Sequence, residues 1–360
     1  MTARLVGLGW RIAPVLVAFA VALAVFAVAG FDIGAILNGT LTGAVTGRGG
    51  VANTIRWAIP LVLIGVGVAV SLRAGEFNIG GQGQFLMGQC AAVWVGLRLD
   101  VPLPWSFVIA AALAIVVGAA WSAVAGTLKV TLGADEVITT LMLNFIALQF
   151  VQWLTTGSLT DPLTSGDAAS TARLDESLRL QASGRISWSL VVVTLIVVLA
   201  VWALVERTPL GAGIKLVGSN PVAARWQGIA VNRLRLSSYL VAGGLAGLAG
   251  ATEVFGPSGR VVTGATPTLG FTALVVATVA SLSIVGTLGA GLFFGALQAA
   301  ILFLPIVTDL PPSALRIIEG LVALLITAQL ATLLRARARP PDGPPTTTAP
   351  GGTSGTRGDG

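Results

Sequence analysis

This apolar chain contains a short stretch in which amide side chains, which hydrocarbon does not solvate, alternate with glycines. The stretch Gly75–Gln84, GEFNIGGQGQ, combines four glycines, which disfavour a continuous helix, with Asn78, Gln82 and Gln84. Amides are costly in hydrocarbon, and irregular backbone at membrane depth is tolerated only where protein buries it or where it lines a cavity. The stretch therefore predicts a helix break beside a translocation pathway. The alternative is a cytoplasmic turn before a helix whose small residues allow close packing.

A second polar group lies in Gly133–Asn144, GADEVITTLMLN. Glu136, Thr140 and Asn144 are spaced i, i+4, i+8, so they share one face of a helix. A polar stripe on a membrane helix should face the interior of the bundle, which makes Thr140 and Asn144 further pathway candidates. Asp135 suits the first turn of the same helix, where the helix dipole favours an anion.

The residue types needed for most enzyme chemistry are missing. The sequence has no histidine, which is a common general base and metal ligand, and its single cysteine, Cys90, excludes an internal disulfide. It has no G-x-x-x-x-G-K-[ST] motif, so it cannot bind ATP through a P-loop of its own. We therefore expect no catalytic residue, no metal site and no cofactor. The net charge of +6 indicates membrane topology and contact with membrane lipid, with no nucleic-acid partner.

Long apolar segments must position these polar groups. The chain has 360 residues, of which 55% are hydrophobic and 10% charged, and its mean hydropathy of +0.90 is too high for a soluble protein. We predict an all-α polytopic membrane protein with about ten transmembrane helices. The candidate spans lie at 11–30, 57–73, 79–98, 104–127, 137–157, 187–205, 236–255, 269–286, 287–307 and 314–334. Small residues four apart, Gly243 with Gly247 and Gly291 with Gly295, predict close contacts between helices.

An even number of spans places both termini on the same side of the membrane. The clearest clusters of Lys and Arg then fall on that side, which identifies it as the cytoplasm. The predicted organisation is a transmembrane domain over 1–339 with a cytoplasmic loop at 206–235 and an external loop at 158–185. The Pro-, Gly- and Thr-rich segment 340–360 is predicted to be a disordered cytoplasmic tail.

The basic interval Glu206–Arg235 contains a short predicted helix. Asn220 can cap its start, Pro221 suits its first position, and Gly228 can end it. A capped, Ala-rich helix exposed between membrane spans suits the docking of another protein. The alternative is a solvated loop that only fixes the topology.

Three motifs occur in a fixed order: RAGEFNIGGQGQ at 73–84, GADEVITTLMLN at 133–144, and GSNPVAARWQGI at 218–229. Together they resemble the permease subunits of bacterial ABC importers, in the branch for nucleosides and simple sugars that is related to ribose-type permeases. The pattern of spans extends the likeness over most of the chain. The resemblance implies an ABC-importer permease-like helical bundle.

The resemblance also implies partner chains. A cytoplasmic ABC ATPase would dock on the short helix, where four residues match the family's coupling helix: Ala223, Ala224, Gly228 and Ile229. We extend the expected docking contact to Asn220, Pro221 and Arg225. A substrate-binding lipoprotein would deliver the solute from outside. A second permease subunit, either a related chain or a copy of this one, would complete the pore.

The sequence departs from the family pattern at three places. Gln82 stands where the family's N-I-G-x-E-G-Q motif has an acidic residue, and Asp135-Glu136-Val137 stands at its N-E-V. The segment Gly270–Ser283 lacks the Asp that commonly follows the Gly-Phe pair of that helix. The first change bears on any ligand or gating role that requires a charge at that position.

The resulting hypothesis is a permease that imports a nucleoside, or alternatively a monosaccharide such as ribose. ATP binding and hydrolysis in the partner would move the 220–229 helix, tilt the bundle and switch access to the pathway. We expect the pathway to be lined by Asn78, Gln82, Gln84, Thr140 and Asn144. One rival is an ion-coupled secondary transporter or channel, for which Glu319, three residues after Arg316, is the candidate acid. Another is a membrane scaffold, which leaves the glycine–glutamine break unexplained.

Overall fold

The computed structural model describes residues 17, 20–161, 169–180, 185–264, 268–308 and 320–321. Apart from two isolated β-bridges, the regular secondary structure in these ranges is helical. Residues 20–28 are helical, and the helices that follow are α1 (Ile33–Leu41), α2 (Gly50–Arg73), α3 (Gly81–Arg98), α4 (Trp105–Leu132), α5 (Glu136–Thr156), α6 (Trp188–Arg207), α7 (Pro209–Ser219), α8 (Pro221–Trp226), α9 (Val231–Glu253), α10 (Leu269–Val279) and α11 (Gly286–Val307). Short π-helical turns lie at Thr42–Thr46 and Val254–Ser258, and a 3₁₀ turn lies at Glu176–Leu178.

Six helices of the described ranges are long and apolar enough to cross a membrane: α2, α4, α5, α6, α9 with its π turn, and α11. The prediction of an all-helical multi-pass protein is therefore confirmed, whereas the predicted number of about ten spans is not. The candidate span 79–98 corresponds to α3, whose 18 residues include three glutamines and which is not among the six. The candidate span 314–334 lies outside the described residues except for 320–321, and 11–30 is described only in part.

The prediction of one continuous span over 269–286 is wrong. Helix α10 has 11 residues, about 16 Å of helix, which is half of what a bilayer core requires. The helix ends because Ser281 and Leu282 adopt left-handed conformations, with φ of 51° and 59°. The chain then turns and starts α11 at Gly286.

Helices α2 and α9 form the centre of the bundle, with more than 80% of the residues in their apolar windows buried, whereas α4, α5 and α6 lie nearer its periphery, with 22–28% of such residues buried. Close approach to α9 is possible because glycines remove side chains at the contact. A Cβ on Gly243 would overlap the carbonyl oxygen of Gly118, and one on Gly247 would overlap that of Ala114. Gly295 likewise lies against the backbone of α2. The predicted role of the small residues in helix contact is confirmed.

Helices α3 and α10 both begin in the middle of the bundle. A Cβ on Gly81, at the start of α3, would contact Ile64 of α2, about 13 Å of helix away from the end of α2 at Arg73. Helix α10 begins beside α3 and runs towards the end of the bundle at which α2 terminates. There the backbone carbonyl of Leu282, just after α10, accepts a hydrogen bond from Arg73. We call this end, which also carries α7 and α8, the α7–α8 end. The two broken helices therefore meet at mid-depth through their N-termini.

Candidate functional site

The predicted helix break is present, and its amides form a buried network. The chain runs without regular structure from Gly75 to Gly80 and then enters α3. The side-chain oxygen of Asn78 accepts hydrogen bonds from the Gly80 backbone N–H at 2.8 Å and from the Gln84 side-chain amide at 3.2 Å. The Gln84 amide also donates to the Ser122 hydroxyl of α4 at 3.1 Å. Asn78 and Gln84 thus stabilise the turn that leads into α3, and Gln84 ties the first turn of α3 to α4.

Helix α5 supplies the other side of this network. The side-chain oxygen of Asn144 accepts from the Gly83 backbone N–H at 2.8 Å, and its amide donates to the Ile79 carbonyl at 3.0 Å. The Thr140 hydroxyl accepts from the Ile79 backbone N–H at 3.3 Å and donates to the Glu136 carbonyl at 2.6 Å. Thr140 and Asn144 therefore bind backbone N–H and C=O groups that the helix break leaves without helical partners.

Gln82 joins the two broken helices directly. Its side-chain oxygen accepts a hydrogen bond of 2.8 Å from the backbone N–H of Gly270, in the first turn of α10. The contact is close because a Cβ on Gly270 would overlap the backbone of Gln82. A neutral amide oxygen therefore occupies the N-terminus of α10, a position where the helix dipole favours negative charge.

The five predicted pathway residues are brought together, and all are buried. Each is at most 3% exposed: Asn78, Gln82, Gln84, Thr140 and Asn144. The amide nitrogen of Asn78 is buried and without a hydrogen-bonding partner among the described residues. In this conformation the network holds the break in place, and its side chains do not line an open channel. The role of these residues in a pathway remains a prediction.

A second set of contacts connects the break with α7. A Cβ on Gly218, in the last turn of α7, would overlap the backbone carbonyl of Arg73, and a Cβ on Gly75 would lie 3.3 Å from Gly218. Gly75 has a φ of +81°, so the turn after α2 needs glycine for its conformation as well as for this contact. Helix α7 therefore lies directly on the turn that leads into the break.

Arg73 is the centre of a polar cluster at the α7–α8 end. Its guanidinium pairs with Glu206 of α6 at 2.6 Å and donates to the Leu282 carbonyl after α10 at 2.9 Å. Glu206 also pairs with Lys215 of α7. One arginine thus connects α2 with the end of α10 and, through a shared carboxylate, with α7.

Glu76 anchors the break to α9. Its buried carboxylate lies 2.8 Å from the Arg235 guanidinium and 3.4 Å from the Tyr239 hydroxyl. Burial raises the pKa of Glu76 above its usual value, and the charge of Arg235 opposes this shift.

On α5, Asp135 accepts hydrogen bonds from the backbone N–H groups of Val137 and Ile138, as expected for a capping residue.

The short helix predicted in the basic interval is α8, and its local structure matches the prediction. The Asn220 side chain accepts from the Ala223 backbone N–H at 2.9 Å, and Pro221 is the first helical residue. Gly228 follows the helix with a φ of +76°. Ala224 is buried against α7 and α9, so it supports the helix from beneath.

The exposed face of α8 includes two residues that the sequence interpretation missed. Val222 and Trp226 are one helical turn apart, and Trp226 is 87% exposed. Of the predicted docking residues, Asn220, Arg225 and Gly228 are exposed, while Pro221, Ala223 and Ile229 are half-buried. The i, i+4 spacing of two apolar residues in a basic loop was the available signal.

Arg316 and Glu319 of the ion-coupled hypothesis lie outside the described residues.

Comparison with known proteins identifies the family. Residues 50–327 match the profile of the branched-chain amino acid transport system / permease component family. The guanosine ABC transporter permease protein NupP of Bacillus subtilis is 32% identical over 294 residues, which cover 78% of this chain and 82% of that protein. The glucose ABC transporter permease protein TsgB13 of Haloferax volcanii is 32% identical over 303 residues, or 79% of this chain and 78% of that protein. The nucleoside ABC transporter permease protein NupB of Lactococcus lactis is 30% identical over 294 residues, or 78% and 79%.

These matches favour an ABC permease over an ion-coupled transporter, and they assign ATP hydrolysis to a separate subunit. The membrane-spanning helices and the relatives agree on a multi-pass membrane protein. The chain therefore belongs to the permease-component family and is a membrane-spanning permease subunit of an ABC transporter.

Proposed function

We propose that this chain forms one half of the pore of an ABC importer for nucleosides, with simple sugars as the second candidate substrates. The observation that carries the proposal is the direct contact of α7 with the turn at Arg73 and Gly75, because it links a docking surface to the helix break. Two of the relatives above transport guanosine or nucleosides by name, and one transports glucose. These names favour nucleosides first.

The α7–α8 end is proposed to face the cytoplasm. It carries basic residues of the 206–235 loop, among them Lys215, Arg225 and Arg233, and short basic loops remain on the cytoplasmic side. Both termini are proposed to lie on the same side. The tail 340–360 and part of the external loop 158–185 lie outside the described residues, so their proposed roles rest on sequence alone.

Coupling is proposed to run from α8 to the two broken helices. An ATPase that docks on α8 would displace α7, because Ala224 packs α8 against α7 and α9. Movement of α7 would shift the Gly75 turn and the Glu206–Arg73 pair. The shift would then reach the start of α3 and both ends of α10, since Arg73 binds the Leu282 carbonyl and Gln82 binds Gly270. Two discrete packings of these helices would give alternating access.

Partner chains complete the proposed importer. They are a cytoplasmic ABC ATPase on α8, an extracytoplasmic substrate-binding lipoprotein, and a second permease subunit, with membrane lipid around the bundle. Two B. subtilis relatives, NupP and NupQ, are both named guanosine transporter permeases, which supports a pore made of two related chains.

The docking proposal is tested by co-purification in mild detergent. We expect an ATPase to accompany the wild-type chain and to be lost from a Val222→Ala, Trp226→Ala double variant, because exposed aromatic anchors dominate binding at such surfaces. The matched control is Trp188→Ala, which removes another exposed tryptophan at the start of α6 and should retain the ATPase. Loss of the ATPase from both variants, or from neither, would contradict docking on α8.

The substrate proposal is tested by uptake in cells that contain the complete system. We expect saturable uptake of radiolabelled guanosine that unlabelled adenosine inhibits and glucose does not. Saturable glucose uptake without guanosine uptake would establish the sugar alternative in its place.

A further inference from the structure

The exposed face of α5 is unusual for a helix that crosses a membrane. Phe145, Gln149, Gln152 and Thr156 are spaced i, i+4, i+7, i+11, so they form one stripe along the helix. All four are exposed, and Phe145 is 54% exposed. We call these four residues the α5 polar stripe. Asn144, which belongs to the break network, points to the buried side of the same helix.

The other two peripheral helices provide the comparison. From Val191 to Val205, helix α6 contains one polar residue, Thr194, and that residue is buried. The exposed side chains of this stretch are aliphatic, among them Val192, Ile196 and Leu199. Helix α4 is similar, because its exposed residues between Val108 and Val124 are apolar. Both helices have the surface that lipid requires, whereas α5 does not.

The depth of the stripe makes a lipid environment costly. Gln149 lies about 10 Å of helix from Thr156 and about 20 Å from Glu136, so it falls within a hydrocarbon layer of about 30 Å. An amide in hydrocarbon without a partner costs several kcal/mol. The stripe therefore requires water, another protein or a polar solute beside it.

Beside the α5 polar stripe lies an aromatic row with the character of a lipid contact, and Trp153, four residues after Gln149, borders the stripe. Phe150 and Trp153 pack against each other, with ring centroids 5.6 Å apart. Phe150 also lines an apolar groove of about 230 Å³ with Met87, Trp94 and Leu113 of α3 and α4. Among the exposed residues of α5 from Ile138 to Trp153, the two glutamines are the ones whose chemistry hydrocarbon does not satisfy.

We propose that the α5 polar stripe lines a water-filled pathway and binds the translocated solute, with the second permease subunit forming the opposite wall. The proposal rests on the proposed importer function and adds the binding residues. The Gln149 and Gln152 amides each offer a donor and an acceptor to the polar edge of a nucleobase or to ribose hydroxyls. Phe145 offers a ring face on which a planar base can stack. The break network on the opposite side of α5 fixes the helix that carries the stripe.

Water access is measured by cysteine labelling of the assembled transporter in membrane vesicles. Gln149→Cys and Gln152→Cys are made in a Cys90→Ala background, since Cys90 is the single natural cysteine. The matched controls are Ile196→Cys and Val192→Cys, which lie on the exposed face of α6 at similar distances from the end of that helix at Trp188. The probe is a charged methanethiosulfonate, which reacts with the hydrated thiolate.

We expect both α5 cysteines to react at least ~10-fold faster than the α6 controls, because hydrocarbon suppresses formation of the thiolate. Guanosine should slow labelling at Gln149→Cys if the solute occupies the stripe. Equal, slow labelling of all four cysteines would overturn the proposal. Rapid labelling that guanosine and glucose both leave unchanged would overturn solute binding at the stripe.

Uptake by the wild-type chain separates this inference from the proposed function. If wild type takes up guanosine while the stripe is not labelled, the stripe proposal fails and the importer stands. If glucose alone is taken up and it alone protects Gln149→Cys, the stripe proposal stands and the nucleoside assignment fails. A Gln149→Ala variant should raise the KM for uptake several-fold and change the maximal rate less, which a purely structural residue would not do.

Discussion

Helices α3 and α10 begin at the same depth of the bundle, yet they are held in different ways. The start of α3 is fixed by side chains from its own segment and from α5, among them Asn78 and Asn144. At the start of α10, the backbone N–H of Gly270 donates a hydrogen bond to the side-chain oxygen of Gln82 in α3. The far end of α10 is held by the bond from Arg73 to the Leu282 carbonyl. We therefore expect α3 to act as the fixed element of the pair and α10 as the one that is displaced during transport.

The largest effect should come from the point where the two helices touch. In a Gly270→Ala variant the new Cβ would overlap the backbone of Gln82, so the helices must separate. Overpacking of this kind costs about 1–3 kcal/mol or more, and we expect lower thermal stability in detergent and little uptake. Gly289→Ala on α11 is the control, because an added Cβ there meets no atom within 4 Å. Equal stability of the two variants would show that α3 and α10 are not in contact in the membrane.

Removal of the main α5 bond to α3 should have the next largest effect. Asn144→Ala leaves the Gly83 N–H and the Ile79 carbonyl without their partner, and each unsatisfied buried group costs about 1–3 kcal/mol. We expect a lower unfolding temperature and a loss of uptake. Asn53→Ala removes an exposed asparagine of α2 and should change neither measurement. If uptake survives in Asn144→Ala with normal affinity, α3 is not the fixed element.

A substitution of Arg73, which binds the opposite end of α10, should reduce the coupling of ATP hydrolysis to uptake and change stability little. Arg73→Ala removes the pair with Glu206 and the bond to Leu282, and partly exposed ion pairs contribute only about 1 kcal/mol. We expect the ATPase to remain bound and to hydrolyse ATP while guanosine uptake falls several-fold. Arg233→Ala, which changes an exposed arginine of α9, should leave the ratio of uptake to hydrolysis unchanged. An unchanged ratio in Arg73→Ala would exclude this route of coupling.

The same comparison explains what could be predicted from the sequence. The break before α3 was predictable, because amides and glycines interrupt an apolar pattern at 75–84. The cap of α8 was equally predictable, since Asn220 and Pro221 act on their nearest neighbours. The half-length of α10 was not, because its apolar residues continue into α11 and the positive φ angles that end it fall on Ser281 and Leu282, residue types that do not signal a left-handed conformation. Contacts between distant segments, such as Gln82 with Gly270, leave no periodic signal in one sequence.

The smallest effect concerns the residue at which the chain departs from its family pattern. Gln82→Glu keeps an oxygen that can accept the hydrogen bond of Gly270, and the dipole of α10 favours its charge by about 0.3–1 kcal/mol. Burial of the ionised carboxylate costs several kcal/mol, which exceeds the dipole term, so the introduced carboxyl should stay protonated in the folded chain. At a pH of about 4, where protonation of a free Glu side chain costs little, a neutral acid replaces a neutral amide and we expect a change in stability within about 1 kcal/mol. Gln82→Leu removes the acceptor and should cost about 1–3 kcal/mol, because the Gly270 N–H is left buried and unsatisfied. Unfolding temperatures of the two variants, measured side by side, test the argument. If leucine is tolerated as well as glutamate, the start of α10 does not depend on Gln82, and the contrast between the two broken helices fails.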